Sequence, residues 1–203
     1  MKIALLDKEQ IAFIYNNFMI HDFPPTELKP LARMIDAYDK GVYECYALLE
    51  DSVDISDKDA RKTRDILAYA FFFCTDNHYL FDYFAVTKDK RNGGLGSIFL
   101  GLLRQKFADS DSVIGEVEDP DYAENEEDRN LQTRRLNFYL RNGYINTDIK
   151  VVMFDVDYIV LEMNLGKNHD QNAIAELYKA HYKAMLPEEM YKEKVKIKNA
   201  LES

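Results

Sequence analysis

Residues 79–103, YLFDYFAVTKDKRNGGLGSIFLGLL, change their hydrophobic period half-way along, and few folds accommodate that change. The first part alternates as a strand does. From Leu95 the apolar residues recur at 95, 98, 99, 102 and 103, which is helical spacing, and Arg91, Gly93, Gly94 and Gly96 stand between the two. A strand that enters a helix through a glycine-rich turn leaves unbonded N–H groups at the positive end of a helix dipole, where an anion can bind. Gly93, Gly94 and Gly96 can take positive φ and let a ligand approach the main chain, and Arg91 adds a charge-assisted donor. The turn is not a Walker A loop, because no Lys-Ser/Thr pair follows its last glycine. Nor is it GxGxxG. The residues alone therefore leave two readings open, a structural turn and a phosphate-binding one.

The chain around this stretch has 203 residues, enough for one domain with a sizeable core. Its net charge of -10 argues against a nucleic-acid partner, which needs a basic footprint, and in favour of a small cationic amine or a basic peptide. No apolar run approaches a membrane span, and Asp7 and Glu9 interrupt the apolar start, so no membrane association and a cytoplasmic location are expected. Cys45 and Cys74 lie in apolar runs; one disulfide is formally available, but two buried thiols are expected. The four histidines are scattered, and no metal site is expected.

In order, the periodicity predicts a short strand at residues 2–6, a helix at 8–19 and a second helix at 27–40 with Pro30 in its first turn. Strands follow at 42–50 and 66–75. They flank a polar segment, 51–65, that reads as a solvated loop or as a lid. Further strands are predicted at 78–86, 113–118, 144–147, 151–154 and 158–163, with a turn at 155–157. Helices are predicted from Gly94 to about Ala108 and from about Asp128 to Asn142, the latter closed by Gly143. A helical tail after Asn164 is broken at Pro187. The order predicts an α+β (mixed α/β) fold with one central, mostly antiparallel sheet flanked by helices.

Two segments carry a family resemblance. Arg91-Asn92-Gly93-Gly94-Leu95-Gly96 resembles the R/Q-x-x-G-x-G/A motif of the GNAT superfamily of acyl-CoA-dependent N-acyltransferases. Some forty residues on, Phe138-Tyr139-Leu140-Arg141-Asn142-Gly143-Tyr144 resembles that family's F/L-Y-x-K/R-x-G-F/Y signature. The resemblance spans residues 1–164 as a GNAT-like domain and leaves 165–203 as a C-terminal helical extension. It implies acyl transfer from acetyl-CoA to an amine, with room for a homodimer. The N–H groups of Asn92, Gly93, Gly94, Leu95 and Gly96, with Arg91 and the Ser97 hydroxyl, would hold the coenzyme pyrophosphate. Phe84, Ala85 and Val86 would offer main-chain groups to the pantetheine arm.

By the same resemblance Tyr139 would protonate the departing thiolate; its spacing alone also fits a helix aromatic packed on Leu136 and Leu140. Gln132 and Arg135 depart from the family pattern, which often has asparagine and a small residue at those positions. Glu116 and Glu118 lie two apart in a strand and so share a face, where one could take the amine's proton; a solvated strand face is the alternative. Asp82 is a weaker base candidate or a structural ion pair. Between Asp109 and Asp128 there are ten carboxylates and no lysine or arginine, either a solvated run or an attractor for a cationic acceptor. A non-catalytic acyl-CoA-binding or protein-interaction module on the same scaffold is the rival reading.

Overall fold

The computed structural model describes residues 1–54, 65–167 and 169–198. The middle of the 51–65 segment, and with it the lid reading, lies outside the described residues. Among those residues eight strands follow the order β1-β2-β3-β4-β5-β7-β6-β8, and the chain divides into two compact units. Unit one holds Met1–Cys74 and Phe81–Lys106, and unit two holds Thr75–Leu80 and Phe107–Ser203. The fold is mixed α/β with a mostly antiparallel sheet, as the element order predicts.

In unit one, β1 (Lys2–Leu5) pairs antiparallel with β2 (Tyr43–Leu49), and β2 with β3 (Ala68–Thr75). Strand β3 is buried on both faces, which explains its unbroken apolar run AYAFFFCT. Phe71, Phe72, Tyr69 and Tyr46 form the centre of this core, joined by Ile11 and Ile14 from α1 (Lys8–Ile14). Helix α1 opens with a capping box between Asp7 and Gln10, then passes through a π-helical turn, Tyr15–Met19, into the short α2 (Ile20–Asp22).

The second helix is shorter than expected: α3 runs from Leu31 to Asp39, with Pro30 as its N-cap. Proline disfavours helical backbone at the residue before it, and the Lys29 N–H donates to Tyr83 Oη at 2.9 Å. Gly41, at φ 72°, closes α3 as expected. Strand β4 (His78–Val86) begins in unit two and ends in unit one, where it leads to α4 (Leu95–Lys106).

In unit two, β5 (Ser112–Glu118) pairs parallel with β4 over only three residues, His78↔Ser112 to Leu80↔Ile114. Its other neighbour is β7 (Val156–Met163), antiparallel. The acidic loop ends where Asn125 caps α5 (Glu126–Arg141) by accepting from the Asp128 N–H; that helix therefore starts two residues before Asp128. Gly143, at φ 88°, terminates it.

The two strands expected at 144–147 and 151–154 are one, β6 (Tyr144–Met153), with a register shift between Asn146 and Lys150. Asp148 there sits at φ 59°, so the polar residues mark a bulge rather than a break. Phe154 and Asp155, both at positive φ, form the turn into β7, one residue earlier than expected. After α6 (Gln171–Met185), Pro187 caps α7 (Glu188–Lys194). The final stretch then leaves the helix as β8 (Val195–Ile197), antiparallel to β6. No helix of the described residues is long and apolar enough to cross a membrane.

Candidate functional site

The residues singled out from the sequence fall into two groups, one in each unit. In unit one, β4 ends at Phe84, Ala85 and Val86. Phe84 stacks on Phe99 of α4 with ring centroids 5.7 Å apart, and that contact fixes how the strand meets the helix it feeds. Between them, Asn92, Gly93 and Gly94 are exposed, Leu95 and Ser97 are half-buried, and Gly96 is buried. The Gly94 carbonyl accepts from the N–H groups of Ser97 and Ile98, at 3.1 and 3.2 Å, and so starts α4. The N–H groups of residues 92–96 have no acceptor among the described residues. They are the open donors of a helix N-terminus.

Positive φ is confined to Asn92 (66°) and Gly94 (76°); Gly93 and Gly96 do not use it. A Cβ at Gly94 would meet nothing within 4 Å, so its glycine answers a backbone conformation and an open surface, not crowding. Arg91 makes two contacts within unit one. Its Nε donates to the Val86 carbonyl at 3.0 Å and its guanidinium pairs with Asp22 at 2.7 Å. Asp22 also accepts from Tyr69 Oη at 2.8 Å. Arg91 thus ties the end of β4 to α2. Asp22 and Tyr69, which sequence reasoning missed, complete that brace; a local pattern does not report a partner about seventy positions away.

The Asp82 side chain, 8% exposed, pairs with Lys29 and Tyr43, the ion-pair alternative raised for it. Cys45 and Cys74 are both free thiols, as expected, and buried. Burial raises Cys45 well above its usual pKa and pushes Cys74 up to about 11. Neither thiol is ionised at neutral pH, which disfavours a covalent route through them.

In unit two, Tyr139 lies on α5 with its ring 5.3 Å from those of Phe138 and Tyr144. Burial pushes its phenol up to about 12, against a smaller opposing pull from Arg135. The proton is held firmly at neutral pH, so the group can be an acid but not a base.

Glu116 and Glu118 differ sharply. Glu116 accepts from Tyr178 Oη at 2.6 Å and Tyr182 Oη at 2.5 Å, two buried tyrosines one turn apart on α6. Its carboxylate thereby fastens the C-terminal helix to β5. Glu118 instead pairs with Arg135, whose side chain is 55% exposed. Glu118 also lines a cavity of about 310 Å³ with Asp119, Gln132 and Tyr122.

No family model matches the chain, and no curated protein matches it either. Solved structures do. A protein of Bacteroides thetaiotaomicron described as an acetyltransferase from the GNAT family superposes with a TM-score of 0.69 at 19% identity, over 91% of this chain and 98% of that one. The chain has the GNAT fold. A spermidine N-acetyltransferase variant from Vibrio cholerae matches with a TM-score of 0.55 at 9% identity, covering 82% of this chain and 96% of its own. An aminoglycoside 6'-N-acetyltransferase in complex with coenzyme A gives 0.54 at 13% identity, covering 84% and 100%. At such identities the likeness is one of fold. Within the GNAT fold of this chain, the 91–96 turn and the 138–144 segment lie at the start of α4 and the end of α5.

Proposed function

We propose that the protein is an N-acyltransferase that moves an acetyl or other short acyl group from acyl-CoA to a primary amine of a cationic acceptor. The observation that carries this reading is the run of N–H donors at residues 92–96, exposed at Asn92, Gly93 and Gly94, that opens α4 after β4 in a GNAT fold. These donors suit a pyrophosphate, and the positive φ at Gly94 leaves its approach unobstructed. Residues 92–96 with the Ser97 hydroxyl would hold the coenzyme, and the main chain of Phe84, Ala85 and Val86 would lie along its pantetheine arm. Arg91, whose Nε and Nη2 hold Val86 and Asp22, would add its remaining guanidinium donors to the pyrophosphate. Bound acyl-CoA supplies the acyl group as a thioester.

The remaining roles fall to unit two. Glu118 takes the proton of the acceptor's ammonium; the freed amine attacks the thioester carbonyl, and as the C–S bond breaks Tyr139 Oη protonates the departing sulfur while the second proton of the nitrogen passes through solvent to the phenolate. Glu118 is preferred to Glu116 because its partner is a single exposed arginine, whereas Glu116 is committed to two buried phenols. We place the protein in the cytoplasm, with residues 1–164 as the acyltransferase domain and the remainder as a helical extension.

Thiol release from acetyl-CoA over a panel of amines, aminoglycosides and lysine peptides tests the activity. Turnover is expected with cationic acceptors, and Tyr139→Phe should lower kcat about 100-fold with acyl-CoA affinity unchanged. Acyl-CoA binding with no thiol release across the whole panel would favour the non-catalytic module instead. An unchanged kcat in Tyr139→Phe would remove that residue as the acid.

A further inference from the structure

Two asparagines of the chain precede glycine, Asn92 and Asn142. In such a pair the glycine nitrogen, once deprotonated, attacks the side-chain amide carbon of the asparagine, and the absence of a Cβ leaves that approach open. Hydrogen bonds to either group oppose the reaction, because they hold the nitrogen and its target in place. At the end of α5 both groups are held. Asn142 Nδ2 donates to the Phe138 carbonyl at 2.7 Å, the Gly143 N–H donates to the Leu140 carbonyl at 3.2 Å, and both residues are half-buried.

At the turn before α4 neither is. Asn92 and Gly93 are exposed, and neither the Asn92 side-chain amide nor the Gly93 N–H has a hydrogen-bond partner among the described residues. Asn92 sits at φ 66°, in the left-handed region that is unfavourable for a residue with a side chain, so rotation away from it towards the reactive geometry relieves local strain. The field there favours an anion. Lys88, Lys90 and Arg91 precede the turn, against Asp89 and the Asp22 that pairs with Arg91, and α4 presents its positive end. A deprotonated Gly93 nitrogen and the anionic intermediate of its attack are therefore stabilised by the same charges that suit a pyrophosphate.

We propose that Asn92 is a selective deamidation site whose conversion closes this turn to anions. The Gly93 nitrogen gives its proton to hydroxide and bonds to Asn92 Cγ; the C–N bond of the side-chain amide breaks, and its nitrogen leaves as ammonia with a proton from water. Water then adds to either carbonyl of the resulting cyclic imide, a ring C–N bond breaks, and aspartate or isoaspartate remains. No oxidation state changes. The new carboxylate sets negative charge beside the N–H donors of residues 92–96, and isoaspartate also lengthens the main chain by a methylene and so displaces those donors. The modification stands apart from the acyltransferase reading; only its effect on coenzyme binding rests on that reading.

Peptide mapping by mass spectrometry of the full chain, kept at mildly alkaline pH with and without coenzyme A, tests this. Amide-to-acid conversion at Asn92 should outpace that at Asn142 by at least about tenfold, the effect of the hydrogen bonds that Asn142 and Gly143 must give up. Gly93→Ala should slow conversion several-fold, and saturating coenzyme A should slow it as well by covering the turn. The converted protein should bind coenzyme A about five- to tenfold more weakly, the effect of a like charge added beside the pyrophosphate. Asn92→Asp, which keeps a residue that tolerates the left-handed region, should reproduce that loss at an unchanged melting temperature. Conversion at Asn142 as fast as at Asn92, no conversion at Asn92, or converted protein that binds coenzyme A undiminished would overturn the proposal. Conversion at Asn92 in a protein that does not bind coenzyme A would keep the modification and remove the coenzyme site. Coenzyme A binding without conversion would do the reverse.

Discussion

His181 shows how much one buried side chain decides. It is fully buried in α6 with Nδ1 3.3 Å from Thr75 Oγ1, and burial, with His78 adding a smaller repulsion, lowers its pKa from 6.5 to about 4. The folded pKa lies below the unfolded one, so the unfolded chain takes up the proton first as pH falls. The stabilising contribution is therefore complete above about pH 6.5 and is lost as pH falls towards 4, about 3 kcal/mol in all. Denaturant unfolding of wild type and His181→Gln across that window should give a steeper loss for the wild type. Parallel curves would mean that His181 is not held neutral. Glycine identity can be tested as directly. Gly94→Ala must place a Cβ at φ 76° and should cost about 1 to 2 kcal/mol and weaken acyl-CoA binding, whereas Gly93→Ala, whose Cβ would meet only the Lys90 carbonyl at 3.6 Å, should be nearly neutral in thermal unfolding.

At the scale of elements, the two ends of the proposed chemistry depend on braces that are distant in sequence. The turn before α4 is held by Arg91, Asp22 and Tyr69, and α6 is held to β5 by Glu116 between Tyr178 and Tyr182. Removing one hydroxyl donor from the half-buried Glu116 carboxylate leaves its charge less well satisfied and should cost about 1 to 3 kcal/mol. Tyr178→Phe and Tyr182→Phe should each lower the melting temperature, and the double variant should depart from additivity because both serve one carboxylate. Glu116→Gln should act mainly on stability and Glu118→Gln mainly on turnover; equal loss of kcat in both at unchanged stability would return Glu116 to the list of bases. These assignments could not be read from spacing. Glu116 and Glu118 are equivalent along a strand, and only the side chains packed against each separate them.

For the whole molecule, the charge of -10 makes ionic strength the natural probe. Screening shortens the reach of its acidic side chains to about 8 Å at physiological salt, so KM for a cationic acceptor should rise across a salt series while KM for an uncharged amine stays level. A KM for the cationic acceptor that does not move with salt would remove electrostatic attraction from the account. Most of the strands and helices, and the turn at 91–96, were legible in the sequence because they follow from local rules: hydrophobic period, caps and the special backbone of glycine. The bulge in β6 and the late start of α3 were less so, since a bulge breaks the strand period and Tyr83 takes the N–H of Lys29 from outside the segment. The sequence by itself determined a strand, an anion-ready turn and a helix in the right order, and an acidic chain suited to a cation. Only the tertiary structure set Arg91 against Val86 and Asp22, and Glu116 against Tyr178 and Tyr182. The reason is physical: local backbone geometry depends on neighbours in sequence, but what a charged or polar side chain can do depends on the partner that long-range packing sets beside it.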